Sequence, residues 1–308
     1  MRSREQGTCA TGTVSENMID LHEVGKKSAV SRAWMEEQLR AWRESRPPVL
    51  LKPALLGDGI MSPGGDVLST WEGIFEEARG RKDLRLAFLV PAAGAASRMM
   101  QPLREYLSLE AAAVLSSPLL SLERGMQGGG IPWLDVVERA RWKQVDRPER
   151  QAMIRELLYG PEGLESRPKG LLPFHAQRGG TVDLAVDEHL RRLRNLGWKS
   201  GTLLHLCVDE RHLSLWRSWQ EETDAGDQYQ PEIGFSFQDP ESRTMARDTE
   251  ERVLVNDAGD PVLRPGGHGA LLPNLGRLAA WDLVSIRNID NVSHADHDHD
   301  AEIWRKRM

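Results

Sequence analysis

The sequence predicts an α/β fold: a mostly parallel sheet covered by helices and preceded by an N-terminal helical extension. Short apolar runs recur at 84–90, 202–208, 233–238 and 283–289, with helical patterns between most of them. Short apolar strands that alternate with helices imply a parallel sheet buried on both faces. The first run also breaks at once into Pro91-Ala-Ala-Gly-Ala-Ala-Ser-Arg-Met99, a small-residue loop that opens a helix. Such a junction aims backbone N–H groups and a helix N-terminus at one spot, which suits a phosphate.

Residues 1–30 read as loosely structured. A helix is expected from Ser31, which can cap it, with Met35, Leu39 and Trp42 on one face and Pro47 and Pro48 to end it. The stretch 57–65, rich in glycine and aspartate around Pro63, reads as loop or linker. An amphipathic helix at 71–78 then leads through Gly80 to the first strand. Beyond Arg98, helices are expected at 103–116, 132–142 and 147–159, with glycines at 128–130 between the first two. Asp146 and Pro148 start the third as a capped turn. A helix over 182–196 precedes the second strand. The expected division is a helical extension over 1–80 and an α/β domain over 81–308.

A chain of 308 residues can bury a sizeable core, and 40% hydrophobic with 28% charged residues is ordinary for a soluble protein. A formal charge of −6 offers no basic field for a nucleic-acid backbone. No apolar run is long enough to span a bilayer, and the N-terminus lacks a signal segment, so no membrane partner is expected. Cys9 and Cys207 form no CxxC pair, which speaks against a disulfide scaffold and a thiolate zinc site and fits a reducing cytoplasm. Ten tryptophans against three tyrosines is unusual, and most fall in expected helices. Apolar packing explains them better than base stacking.

Ligands of such sheets bind at the carboxyl ends of the strands. Four segments there carry chemistry. In the first loop Arg98 adds a planar cationic fork matched to phosphate oxygens. In Arg167-Pro-Lys-Gly-Leu-Leu-Pro-Phe-His175, a stiff Pro168 and a permissive Gly170 present the Lys169 ammonium from a defined turn. In Leu263-Arg-Pro-Gly-Gly-His-Gly-Ala-Leu271, three glycines around His268 allow close backbone approach to a ligand. Arg287-Asn-Ile-Asp-Asn-Val292 ends a strand on Asp290, an oxygen ligand for a hard metal. Each has a plain structural reading: a solvated lysine, a turn-capping histidine, a helix-capping aspartate. Their joint occurrence in this order is the stronger signal.

That order resembles the nucleotide-sugar pyrophosphorylases, which have the nucleotidyltransferase (Rossmann-like) fold. More closely, PAAGAASRM, RPKGLLPFH, FSFQ, RPGGHGALLPNL and IRNIDNV resemble a bacterial domain family of unknown function related to those enzymes, over 84–292. The resemblance implies Mg²⁺-dependent transfer of a nucleotidyl group to a sugar 1-phosphate, with pyrophosphate leaving. It implies that Ala93, Gly94, Ala95, Ser97 and Arg98 hold the triphosphate, and that Lys169 neutralises a phosphate. Gly267, His268 and Gly269 are then expected near the base or sugar, and Asp290 as the Mg²⁺ ligand. Substrate contacts are expected at His175, Glu188, Gln238 and Asn288. The attacking group is already a phosphate oxygen, so positioning and charge neutralisation suffice.

The chain departs from that pattern in two places. Ala93 and Ala96 stand at two positions where the usual loop has glycine; if Ala96 needed positive φ, strain of about 1 kcal/mol or more would follow. The chain also ends soon after Asp290, where the related enzymes continue, so a shortened domain or a site completed by another chain is expected. The closing His294, Asp296, His297, Asp298, His299 and Asp300 read as a solvated tail or as the source of a second metal ligand. The alternative function is a phosphate-binding protein without turnover. A dinucleotide enzyme is disfavoured, since no GxGxxG follows the strand.

Overall fold

The computed structural model describes residues 31–44, 49–94, 96–110, 114–128, 133, 136–161, 163–176, 182–198, 201–224, 231–250, 252–264 and 266–292. In chain order the elements begin with α1 (Arg32–Glu44), β1 (Leu55–Leu56), β2 (Gly59–Ile60), α2 (Gly65–Gly80) and β3 (Leu86–Pro91). Four helices follow, α3 (Ser97–Leu107), α4 (Ser117–Gly128), α5 (Val136–Gln144) and α6 (Arg147–Tyr159). Next come β4 (Pro173–Ala176), β5 (Val182–Leu184), α7 (Ala185–Asn195), β6 (Thr202–Val208), α8 (Leu213–Asp224) and β7 (Glu232–Phe237). The last are β8 (Thr244–Met245), β9 (Leu263–Arg264), α9 (Leu272–Gly276) and β10 (Leu283–Ile286). The chain divides into two compact units: Met1–Ser62 with Gln238–Pro273, and Pro63–Phe237 with Asn274–Met308.

The larger unit is built on a parallel sheet of order β10-β3-β6-β7. All four expected strands are present and lie in this one sheet. The central strands β3 and β6 are buried almost throughout, whereas the edge strands are partly exposed. Continuous apolar sequence is what a strand covered on both faces requires. On one face Phe88, Val90, Leu204, Leu206 and Val208 pack against Val186, Leu190 and Leu193 of α7 and against Trp216 and Trp219. The alternate residues His205 and Cys207 point to the opposite face, where Ser236 and Asn274 join them. A second cluster, with Met100, Leu103, Tyr106, Trp142, Ile154 and Leu158, holds α3 to α6 together. Trp142, Trp198 and Trp216 are fully buried, as packing residues should be.

Local expectations held where caps or apolar faces were explicit. Ser31 Oγ accepts from the Trp34 N–H and α1 buries Met35; Asp146 caps α6 by accepting from the Glu149 N–H at 3.0 Å. Two expectations are corrected. The helix expected at 103–116 is instead the continuation of α3, which starts at Ser97 and stops at Leu107, and α4 lies where none was expected. Residues 182–184, expected as helix, form β5, which pairs antiparallel with β4. There the apolar spacing of a short strand entering a helix mimics one longer helix.

In the smaller unit α1 packs Met35 against Met245 and Val253, and β8 pairs antiparallel with β9. Among the described residues no helix is long and apolar enough to cross a membrane.

The end of α7 gives a test. Gly197 has φ +63 and its N–H donates to the Arg194 carbonyl, so a side chain there is strained. Gly197→Ala should lower stability by about 1 kcal/mol in urea unfolding, with the m-value unchanged.

Candidate functional site

β6 lies on one side of β3 and β10 on the other, so the loops that follow β3 and β10 leave the sheet side by side at its carboxyl edge, where ligands of parallel sheets bind. The loop after β3 supplies one part of this edge. Ala92 is buried and its N–H donates to the Cys207 carbonyl at 2.7 Å; Ala93 is half-buried and Gly94 exposed. Ala96 has φ −81, so the strain anticipated there is absent. Its methyl is buried among Met100 and Leu103, which is the reason an alanine fits. Ala96 supplies no side-chain cap, and the N–H groups in the first turn of an α-helix have no acceptor within the helix itself. Ser97 is the first residue of α3, and Arg98, next to it, is exposed. Ala95 lies outside the described residues.

Lys169 is brought to this loop. Its backbone N–H donates to the Gly94 carbonyl at 3.2 Å, and its ammonium lies 2.5 Å from the Asp290 carboxylate. Three of the four expected segments therefore meet: the loop, the Pro-Lys-Gly turn and the strand-end aspartate. The role of Gly170 differs from the expectation. It is not among the glycines with positive φ; a Cβ there would meet Trp216 at 2.5 Å and Ile289 at 2.9 Å. Space, not backbone freedom, demands glycine beside Lys169.

Helix α7 fixes both segments. The Ala185 N–H donates to the Leu172 carbonyl, just after the lysine turn. One turn on, His189 Nε2 meets the Ile289 carbonyl at 3.2 Å, and Arg192 Nη1 donates to the Asn291 carbonyl at 2.6 Å. Both side chains are buried, and they hold the carbonyls on either side of Asp290. Burial, reinforced by Arg192 and Arg287, pushes the His189 imidazole down to about 4, so it is neutral at physiological pH and donates from Nε2. Arg287 lies over the Phe88 ring at 4.3 Å, and burial, with the like charge of Arg192, lowers it to about 10.

Of the expected substrate contacts, His175 and Glu188 pair with each other through Nδ1 and Oε1. Glu188 is fully buried and its other oxygen has no hydrogen-bond partner among the described residues; burial pushes its carboxyl up, against the pull of His175. Asn288 is exposed and its carbonyl accepts from the Asn291 N–H. Asp187 accepts from the Leu184 N–H and from Trp219 Nε1, and Asp209 caps a short turn through the Arg211 N–H. Both are structural.

Gln238, Gly267, His268 and Gly269 belong to the smaller unit. There two expected segments meet: a Cβ on Gly266 would sit 2.5 Å from the Ser242 carbonyl and 3.3 Å from Gln238. The close approach that Gly266 permits is to the protein's own backbone. Gly267 and Gly269 face open space, and His268 begins a 3₁₀ turn. The metal-ligand candidates His294, Asp296, His297, Asp298, His299 and Asp300 lie outside the described residues.

The family of the Domain of unknown function (DUF4301) matches residues 135–308, more than half of the chain. The chain belongs to the DUF4301 family. The matched segment of this DUF4301 chain holds Lys169, α7 and Asp290 and leaves out β3 with its loop. No curated protein matches it in sequence. Among solved structures it is similar to the uridine diphosphate N-acetylglucosamine pyrophosphorylase of Trypanosoma brucei, at 14% identity and TM-score 0.48, covering 88% of this chain and 45% of that one. It is also similar to an Entamoeba histolytica protein assigned as a UDP-N-acetylglucosamine pyrophosphorylase, at 13% identity and TM-score 0.36, covering 74% and 42%. The chain thus spans less than half the length of either.

Arg192 and Arg287 carry no signal in the sequence, whereas His189 does. The signal for His189 was its spacing, since it shares the apolar stripe of Val186, Leu190 and Leu193. The unfolded imidazole protonates near 6.5 and the folded one near 4, so the native state loses stability as pH falls through that window. The loss should reach on the order of 3 kcal/mol. His189→Gln keeps a donor for the Ile289 carbonyl and should flatten the difference between urea unfolding at pH 7 and pH 4. An unchanged slope would remove His189 as its source.

Proposed function

We propose that this DUF4301 chain is a Mg²⁺-dependent nucleotidyltransferase. It would join a nucleoside triphosphate to a sugar 1-phosphate, or a similar phosphorylated acceptor, and release pyrophosphate. One observation carries the reading: an uncapped helix N-terminus, a lysine tied to the adjoining loop and an aspartate following the edge strand converge at the carboxyl edge of a parallel sheet.

The residues present fit Mg²⁺ of the kind completed by substrate. Asp290 offers a hard oxygen that already holds a cation, the Lys169 ammonium. Among the described residues no group of three or more His, Cys, Asp or Glu is placed to hold a metal. A single carboxylate is enough when phosphate oxygens and waters fill the other positions. Bound at Asp290, Mg²⁺ would neutralise charge on the phosphates.

The chain's own groups do the rest. The free N–H groups at the start of α3 and the exposed Arg98 side chain orient a phosphate chain above Gly94. Lys169 meets the charge that grows on the leaving pyrophosphate as an acceptor phosphate oxygen attacks the α-phosphorus. No general base is needed, because the attacking oxygen carries no proton at neutral pH.

Pyrophosphate release with each nucleoside triphosphate, Mg²⁺ and a panel of sugar 1-phosphates tests this. Release is expected for at least one pair, with Lys169→Met and Arg98→Met each lowering kcat/KM roughly 100-fold at unchanged Tm. Triphosphate binding without release from any pair would identify a phosphate-binding protein instead. Binding of NAD without triphosphate would overturn the reading.

A further inference from the structure

We propose that Lys169 is a built-in counter-ion for Asp290, and that a divalent cation and a phosphate enter this site by exchange, each taking one half of the pair. The inference rests on the phosphate reading above and adds how the site is regulated.

The two charges face each other at 2.5 Å, and both remain reachable from solvent: the lysine side chain is 23% exposed and the aspartate 48%. A partly exposed ion pair is weak, so incoming ligands can open it. Its halves differ in freedom. Asp290 has a short side chain on a loop whose carbonyls are gripped at Ile289 and Asn291 by buried His189 and Arg192. Lys169 carries its charge on a four-carbon stem. Its backbone is fixed by the Gly94 carbonyl and by the packing of Gly170 on Trp216 and Ile289, while the stem above can swing. The ammonium is therefore the mobile partner, and the carboxylate stays.

The charges then dictate coupling. A divalent cation alone must bind Asp290 with an ammonium still beside it, and like charges repel. A phosphate alone must draw Lys169 away and then sit beside the Asp290 carboxylate, a like charge that repels it. Together, cation and phosphate replace both halves of the pair and no charge is left alone. Each ligand raises the affinity for the other, by the same factor in both directions.

Single-ligand binding to the full chain tests the exchange, with Mn²⁺ read by its electron paramagnetic resonance and inorganic pyrophosphate read by calorimetry in EDTA. Lys169→Gln removes the competing ammonium and should tighten Mn²⁺ binding at least threefold while weakening pyrophosphate. Asp290→Asn removes the competing carboxylate and should tighten metal-free pyrophosphate at least threefold while abolishing Mn²⁺ binding. A purely structural lysine would move neither affinity upward. If the wild type binds pyrophosphate but neither variant tightens its ligand, the exchange is overturned and the phosphate reading stands. If pyrophosphate binds none of the three proteins, the phosphate site falls and the exchange with it. Circular dichroism of both variants should match the wild type, and the opposite signs expected of the two cannot arise from partial unfolding.

Discussion

A helix that turns polar side chains toward a core must find partners for them, because a buried group left unpaired costs more than its hydrogen bond returns. At α7 those partners are the segments that form the site. Glu188 takes His175, His189 takes the Ile289 carbonyl and Arg192 takes the Asn291 carbonyl. The apolar residues of the same buried face, Val186, Leu190 and Leu193, are sealed against the sheet. One element thus ties the chain after the lysine turn and the chain after β10 to a single rigid body. Among the described residues the second oxygen of Glu188 and Nδ1 of His189 find no hydrogen-bond partner.

The site inherits its position from sheet order. β10 returns to pair beside β3, the first strand of the sheet, so the loops after them emerge next to each other at the carboxyl edge. Opposite and like charges both adjoin it. Lys169 faces Asp290, and Arg287, which has the buried Arg192 as a neighbour, is stacked on Phe88. The same sheet keeps a separate polar knot on its other face, where Ser236 Oγ lies 2.8 Å from His205 and 2.7 Å from Asn274. Gly234 leaves the room that the His205 ring occupies.

Much of this was legible in the chain itself. The four sheet strands could be read because burial on both faces demands unbroken apolar runs, and Asp146 and Ser31 announced their helices by capping chemistry. Lys169 and Asp290 stood out as polar residues at strand ends or between a proline and a glycine. What misled was local ambiguity: residues 182–184 share the spacing of the helix they enter, and α3 stops at Leu107 although its pattern runs on. Arg192 and Arg287 gave no signal, since an arginine reads as a surface residue until its surroundings are known.

By itself the sequence determined which segments are strands, which loops are rich in small residues, and which charged residues stand in them. These follow from local propensity and apolar period, which act over a few residues. Only the tertiary structure decided that Lys169 and Asp290, 121 positions apart, share an ion pair. It alone showed that Gly170 serves packing, that Ala96 is unstrained, and that His268 and Gln238 belong to a different unit from Lys169. Those facts depend on strand order and on which buried polar groups must be satisfied, and both emerge only when distant segments are packed together.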